Sequence, residues 1–152
     1  MFKRLFLTVA LLLAFVAVSF ARTNVFTVRL SGGQEANPVQ TRAEGEFILR
    51  VSGDQLTYRL VVTNLENAVA AHLHLGPVGA AGPVVVDLFT GPAKSGSFSG
   101  VLAEGTIMAE NLKGPLLGQS LEALLTAIDE GTIYVNAHTT AYPAGEIRAQ
   151  VR

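Results

Sequence analysis

The sequence predicts an all-β fold, a Greek-key sandwich or barrel that carries one short helix. Three observations predict it. Apolar and polar residues alternate over most of the chain between Asn24 and Val151. Clusters of Gly, Pro, Asn and Ser interrupt that alternation at short intervals. A single segment, Leu121 to Glu130, changes to a helical period. Roughly eight short strands with Gly/Pro turns and one helix fit a chain folded as stacked or rolled antiparallel sheet.

The first strand spans Asn24 to Leu30, with Phe26, Val28 and Leu30 on one face. Ser31-Gly32-Gly33-Gln34 breaks it, and Asn37-Pro38 marks a loop. Glu44 to Val51 places Phe47, Leu49 and Val51 on one side. Leu56 to Leu65 does the same with Leu56, Tyr58, Leu60 and Val62. The turn at Ser52-Gly53-Asp54-Gln55 makes these two an antiparallel hairpin. Glu66-Asn67 turns the chain into Ala70-Ala71-His72-Leu73-His74-Leu75-Gly76. The glycines and prolines of segment 76–83 then require a shaped loop. Val84 to Phe89 is apolar apart from Asp87, as in a well-buried strand, and Ser97 to Ile107 reads as one or two strands. In the helix, Leu121, Leu124, Leu125 and Ile128 form one stripe. Ser120 is placed to cap its start, and Gly131 suits a left-handed residue just past its end. Thr132 to His138 sends Ile133, Val135 and Ala137 inward and Thr132, Tyr134, Asn136 and His138 outward. Glu146 to Val151 sends Ile147, Ala149 and Val151 inward and Glu146, Arg148 and Gln150 outward.

Ahead of this domain, residues 1–21 have the form of a secretory signal. Lys3 and Arg4 precede an apolar run from Leu5 to Val18, and Ser19-Phe20-Ala21 supplies small residues for cleavage after Ala21. The run is shorter than the ~18–20 residues of a spanning helix, so no membrane attachment is expected after cleavage. Cleavage leaves residues 22–152, one domain of ordinary size. Removing Lys3 and Arg4 from the 11 basic residues leaves 9 against 12 acidic ones, a formal net charge of −3. That balance excludes a nucleic-acid surface. The chain has no cysteine. Thiolate metal sites, thiol nucleophiles and an acylated cysteine anchor are therefore excluded, and any metal must be held by imidazole and oxygen. The expected location is the periplasm or the extracellular space.

The three histidines, His72, His74 and His138, are the candidate functional residues. All share the parity opposite to the core. If strands 132–138 and 146–151 form a hairpin, Glu146 lies beside His138. Two readings follow. In the leading one the domain is a non-catalytic binding or structural module. His72 and His74 hold loop 76–83 and the 139–145 turn through backbone carbonyls, and Asn136, Thr139, Glu146 and Arg148 complete a polar network. In the alternative, His72, His74 and His138 ligate Cu(II) or Zn(II), with Glu146 as a fourth ligand or an orienting group. Glu146 and Arg148 share a face two residues apart and are expected to pair as a surface ion pair. Tyr134 and Tyr142 are expected to pack over the site. No Gly-x-Ser-x-Gly stretch supports hydrolase chemistry. The partner is a protein or a small ion.

Several blocks, taken in order, resemble the CHRD domain family, named for repeats in chordin. They are Ser31-Gly32-Gly33-Gln34-Glu35 with Asn37-Pro38, Gly45-Glu46-Phe47, Ala71-His72-Leu73-His74-Leu75-Gly76, and Gly79 with Gly82-Pro83-Val84-Val85-Val86. Gly131-Thr132-Ile133-Tyr134-Val135-Asn136-Ala137-His138-Thr139 and Pro143-Ala144-Gly145-Glu146-Ile147-Arg148 follow, with Ala144 and Ala149 where the family often has glycine. The resemblance implies an exported single CHRD domain at 22–152, of immunoglobulin-like or copper–zinc superoxide dismutase-like architecture. It implies no established activity. Chordin binds growth factors of the bone-morphogenetic type, a ligand that fold analogy alone does not transfer to a lone domain. The His-x-His strand is also similar to part of a dismutase copper site. The further histidines and zinc loop of that enzyme are missing from this chain.

Overall fold

A strand with one apolar face must bury it, and in this chain nearly every strand buries the same parity into a shared interior. The computed structural model describes residues 24–53 and 55–152, so the expected signal segment lies outside the described residues. Among the described residues eight strands form: β1 (Asn24–Ser31), β2 (Glu44–Ser52), β3 (Gln55–Glu66), β4 (Ala68–Leu75), β5 (Val84–Phe89), β6 (Ser97–Ile107), β7 (Ile133–Thr139) and β8 (Ile147–Gln150). One helix, α1 (Leu121–Asp129), lies between β6 and β7. The all-β expectation holds, as do the β2–β3 hairpin and the position of the helix. Segment 97–107 is one strand, bulged twice against β3.

All eight strands belong to one antiparallel sheet in the order β5-β4-β7-β8-β1-β2-β3-β6. The sheet rolls until its edge strands β5 and β6 approach each other, which makes a nearly closed barrel. Side chains bridge the remaining gap. Tyr58 on β3 donates its hydroxyl to the Leu88 carbonyl on β5 at 2.9 Å. The Lys94 ammonium lies 5.9 Å from the Phe89 ring and 5.3 Å from the Phe98 ring, one from each edge strand. Phe47, Leu49, Leu60, Leu65, Leu73, Val135 and Ile147 fill the interior and are fully buried. Helix α1 adds Leu124 and Ile128 from its apolar stripe.

The ends of α1 depart from expectation at one side only. Ser120 has the extended backbone of a capping residue, but its side chain makes no capping bond. Gly131 does adopt a left-handed φ of +69° and donates to the Ile128 carbonyl at 2.9 Å.

The larger correction concerns the face read as outward on β7 and β8. The register sets His72 opposite Asn136 and Asn136 opposite Arg148. It sets His74 opposite Tyr134 and Tyr134 opposite Gln150. Opposed residues share a face, so these side chains form a polar sheet surface outside the barrel. That surface is not in water: every residue of β7 and β8 is buried. Loops 76–83, 139–146 and 32–43 fold over it. Alternation distinguishes the two faces of a strand, not a solvated face from one covered by loops.

The uncapped Ser120 gives a contrast within one domain. Ser120→Ala is expected to change the unfolding free energy by less than about 0.5 kcal/mol, below the ~1 kcal/mol of a working cap. Phe47→Ala is expected to lower it by about 3–5 kcal/mol. Urea denaturation of both variants checks this.

Candidate functional site

His72 and His74 project from β4, and His138 from the end of β7, two positions from Asn136 on the same face. One ring nitrogen from each histidine lies within 4.8 Å of the others. His72 Nδ1 is 3.0 Å from His138 Nε2. The His72 ring is 5.5 Å from His74 and 4.8 Å from His138, centroid to centroid. The other nitrogens are fixed by the loops. His74 Nδ1 is 2.9 Å from the Gly82 carbonyl, and His138 Nδ1 is 3.0 Å from the Pro143 carbonyl. A carbonyl only accepts, so both Nδ1 atoms carry the proton. Gly82 fits here because a Cβ would overlap the Leu75 carbonyl.

The three rings are held neutral. Burial lowers the pKa of His72 to about 4, helped by the neighbouring His138 and His74 and opposed by Asp87. Burial also lowers His74 and His138, offset in part by each ring's carbonyl bond and, for His74, by the neighbouring Asn136 side chain. In neutral His74 and His138 the lone pair therefore sits on Nε2. His138 Nε2 accepts from His72 Nδ1–H. His74 Nε2 is buried and has no hydrogen-bond partner.

Beside the histidines the polar face holds loop 76–83 in place. Arg148, 2% exposed, donates to the Ala80 and Pro77 carbonyls at 2.8 Å each. Gln150 donates to the Gly76 and Gly131 carbonyls at 3.0 and 2.7 Å. The Tyr134 hydroxyl accepts the Gly82 N–H at 3.0 Å. Its ring stacks on His74 at 4.7 Å, with the Arg148 guanidinium 3.5 Å from its centroid. Tyr134 thus packs over the site as expected, whereas Tyr142 is 37% exposed.

Glu146 is not among the groups brought together with the histidines. Its two carboxylate oxygens accept from Thr41 Oγ1 at 2.6 Å and Thr139 Oγ1 at 2.7 Å. The expected ion pair with Arg148 does not form: Arg148 is engaged by carbonyls, and Glu146 by hydroxyls. Shared parity put both residues on one face, but each reaches a different loop. His72 likewise binds His138 in place of a loop carbonyl, and its Nε2 faces Asp87 Oδ1 at 3.8 Å. Asp87 is paired on its other oxygen with Lys113.

Glu35 is the buried group that strand parity missed, because it follows a 3-10 turn, Gly32–Gln34. It is 8% exposed, and one of its carboxyl oxygens and the Asn136 carbonyl oxygen are both buried without partners. Burial raises the Glu35 pKa to about 7, with Arg148 and Asn136 opposing. Gly145, at φ +127°, lets the chain pass here; a Cβ would collide with the Glu35 and Asn136 side chains.

A nearly closed antiparallel β-barrel with a polar outer face covered by loops defines a small all-β module. The CHRD domain model matches residues 26–151, and the chain belongs to that family. It is 32% identical over 141 residues to chordin of Xenopus laevis, an alignment covering 87% of this chain. The chain spans about 13% of the length of that relative. No solved structure matches it.

Glu35 sets a pH dependence with a definite sign. Its folded pKa of about 7 lies above the ordinary carboxyl value of 4.5, so the folded state holds a proton that the unfolded chain releases. Its contribution to stability is complete below pH 4.5 and is lost as pH rises to about 7. The histidines run the other way: neutral when folded, they favour the fold above pH 6.5 and cost stability as pH falls. The difference between Glu35→Gln and the parent isolates the carboxyl. It is expected to shift in favour of the variant by roughly 3 kcal/mol between pH 4.5 and 7. Urea titrations at several pH values read it, and parallel profiles would contradict it.

Arg148→Lys keeps the charge and loses the fork. The Pro77 and Ala80 carbonyls cannot both be satisfied, so a loss of about 2–4 kcal/mol is expected. Amide exchange should rise first in segment 76–83.

Proposed function

We propose that this chain is an exported, non-catalytic binding module whose His-rich polar face fixes the loops that meet a protein partner. One observation carries this reading: four polar side chains of the face are bonded to the backbone of the loops that cover it. Arg148, Gln150, His74 and His138 all bind loop carbonyls. The two hydroxyls nearest a carboxylate are also tied down. Thr41 and Thr139 donate to Glu146 while accepting the N–H groups of Ala43 and Tyr142. Neither is arranged as a free nucleophile. Loops held this way lose little entropy when they bind, which favours recognition by preformed surface. They carry Val78, 69% exposed, and Tyr142 at their tips. Membership of the family that includes chordin supports a protein partner. Export is supported by the basic-then-apolar form of residues 1–21. Among the described residues no helix is long and apolar enough to cross a membrane.

Mass spectrometry of the protein recovered outside the cytoplasm is expected to give an N-terminus at Arg22; Met1 would remove the cleavage step. For the module itself, a photo-crosslinking residue at position 78 is expected to yield a discrete protein adduct that weakens when Arg148→Lys loosens the loop. Adducts matching those from the exposed strand position Thr57 would defeat the reading.

A further inference from the structure

We propose that His72 Nδ1, His74 Nε2 and His138 Nε2 form a three-imidazole site for a divalent transition ion, Cu(II) or Zn(II), oriented by Asp87 through His72. The site goes beyond the module's role in binding a protein and does not depend on it.

Geometry carries the assignment. One nitrogen from each ring lies within 4.8 Å of the others; two nitrogens bonded to one ion at about 2.0–2.1 Å stand no more than about 4.2 Å apart, so the rings draw together slightly on binding. Two of the rings are aimed by their far nitrogens, since His74 and His138 each donate Nδ1–H to a loop carbonyl. Metal-binding histidines are held in this way: the outer bond fixes tautomer and ring angle and leaves the inner lone pair for the ion. His74 Nε2 supplies an independent observation. It is buried, bears a lone pair and, among the described residues, has no hydrogen-bond partner within normal geometry. A buried polar atom is ordinarily satisfied, and an ion at the centre of the three rings would satisfy this one.

His72 completes the set by changing tautomer. Its Nδ1 proton now points to His138 Nε2. On coordination Nδ1 gives up that proton, and Nε2 takes one from solvent and presents it to the facing Asp87 carboxylate. The exchange releases no net proton. Asp87 would then orient His72 from outside the ligand set, with Lys113 anchoring its second oxygen. The His72 side chain is 18% exposed, which gives ions a way in and leaves a coordination position for water. Neutral imidazoles without thiolate suit Cu(II) and Zn(II) better than Mg(II) or Ca(II). Glu146, the fourth ligand expected from sequence, is not grouped with the three rings and instead accepts from Thr41 and Thr139.

The test is calorimetry of the chelator-stripped, full-length folded protein with Cu(II) and with Zn(II), together with electron paramagnetic resonance of the Cu(II) form. One ion per chain and a three-nitrogen splitting pattern are expected. Affinity is expected to fall by at least about 100-fold in the His72→Ala/His74→Ala double variant and by about 10–100-fold in Asp87→Asn. Thermal unfolding without metal shows whether each variant folds. His72→Gln, at the partly exposed position, serves as the ligand-loss variant if the double variant does not. Wild-type binding no tighter than in the folded ligand-loss variant, or a copper spectrum with fewer than three nitrogens, would overturn the site. Neither readout involves a protein partner, so failure here is separate from failure of the module reading.

Discussion

The buried guanidinium of Arg148 is the constraint on which the outer half of this domain depends. It is almost fully withdrawn from water, and among the described residues no carboxylate is bonded to it. Such a charge is tolerable only when its donors are met. Here the Pro77 and Ala80 carbonyls and the Gln150 amide oxygen meet them, and the Tyr134 ring covers one face. Loop 76–83 is held in turn through those two carbonyls. Its seat fixes Gly82, and Gly82 fixes the ring of His74. The orientation of a histidine on β4 therefore depends on an arginine two strands away on β8.

Much of the barrel was legible because burial of one strand face is a local requirement. Phe47, Leu49, Leu60, Leu73, Val135 and Ile147 could be assigned to the core from period alone. The same period placed His72, His74, Asn136, His138 and Arg148 together on the opposite face, and the register unites them there. What lay over that face could not be read. Cover by loops is a long-range event, and segments 32–43, 76–83 and 139–146 have no periodicity to reveal it. Glu35 was invisible for this reason: its burial comes from Gly145 and Asn136, more than 100 positions away in the chain. Ser120 shows the converse limit. A good capping residue stood at the right position, and its hydroxyl still made no bond to the helix.

The carboxylates illustrate how shared parity can mislead. Glu146 and Arg148 stand two apart on one face, and an ion pair was the natural expectation. In the fold Glu146 is the acceptor that ties Thr41 to Thr139, which joins loop 32–43 to the end of β7. Asp87, read from sequence only as an interruption in an apolar strand, sits instead opposite His72 in the ladder. Two acidic residues thus exchanged expected roles because strand register, not spacing along the chain, decides which ring a carboxylate faces.

The seam between β8 and β1, in the middle of the sheet, has the single ladder pair Ser31 and Arg148, and it joins the two halves of the barrel wall. Contacts of this span are the slowest to form in folding. The polar face draws on residues from Glu35 to Gln150, and its strands β7 and β8 belong to the last fifth of the chain. Until that final segment has been released from synthesis or transport, none of the loop seating described above can exist. A chain threaded outward from its N-terminus would travel with its histidines unassembled and acquire them as a group only at its destination.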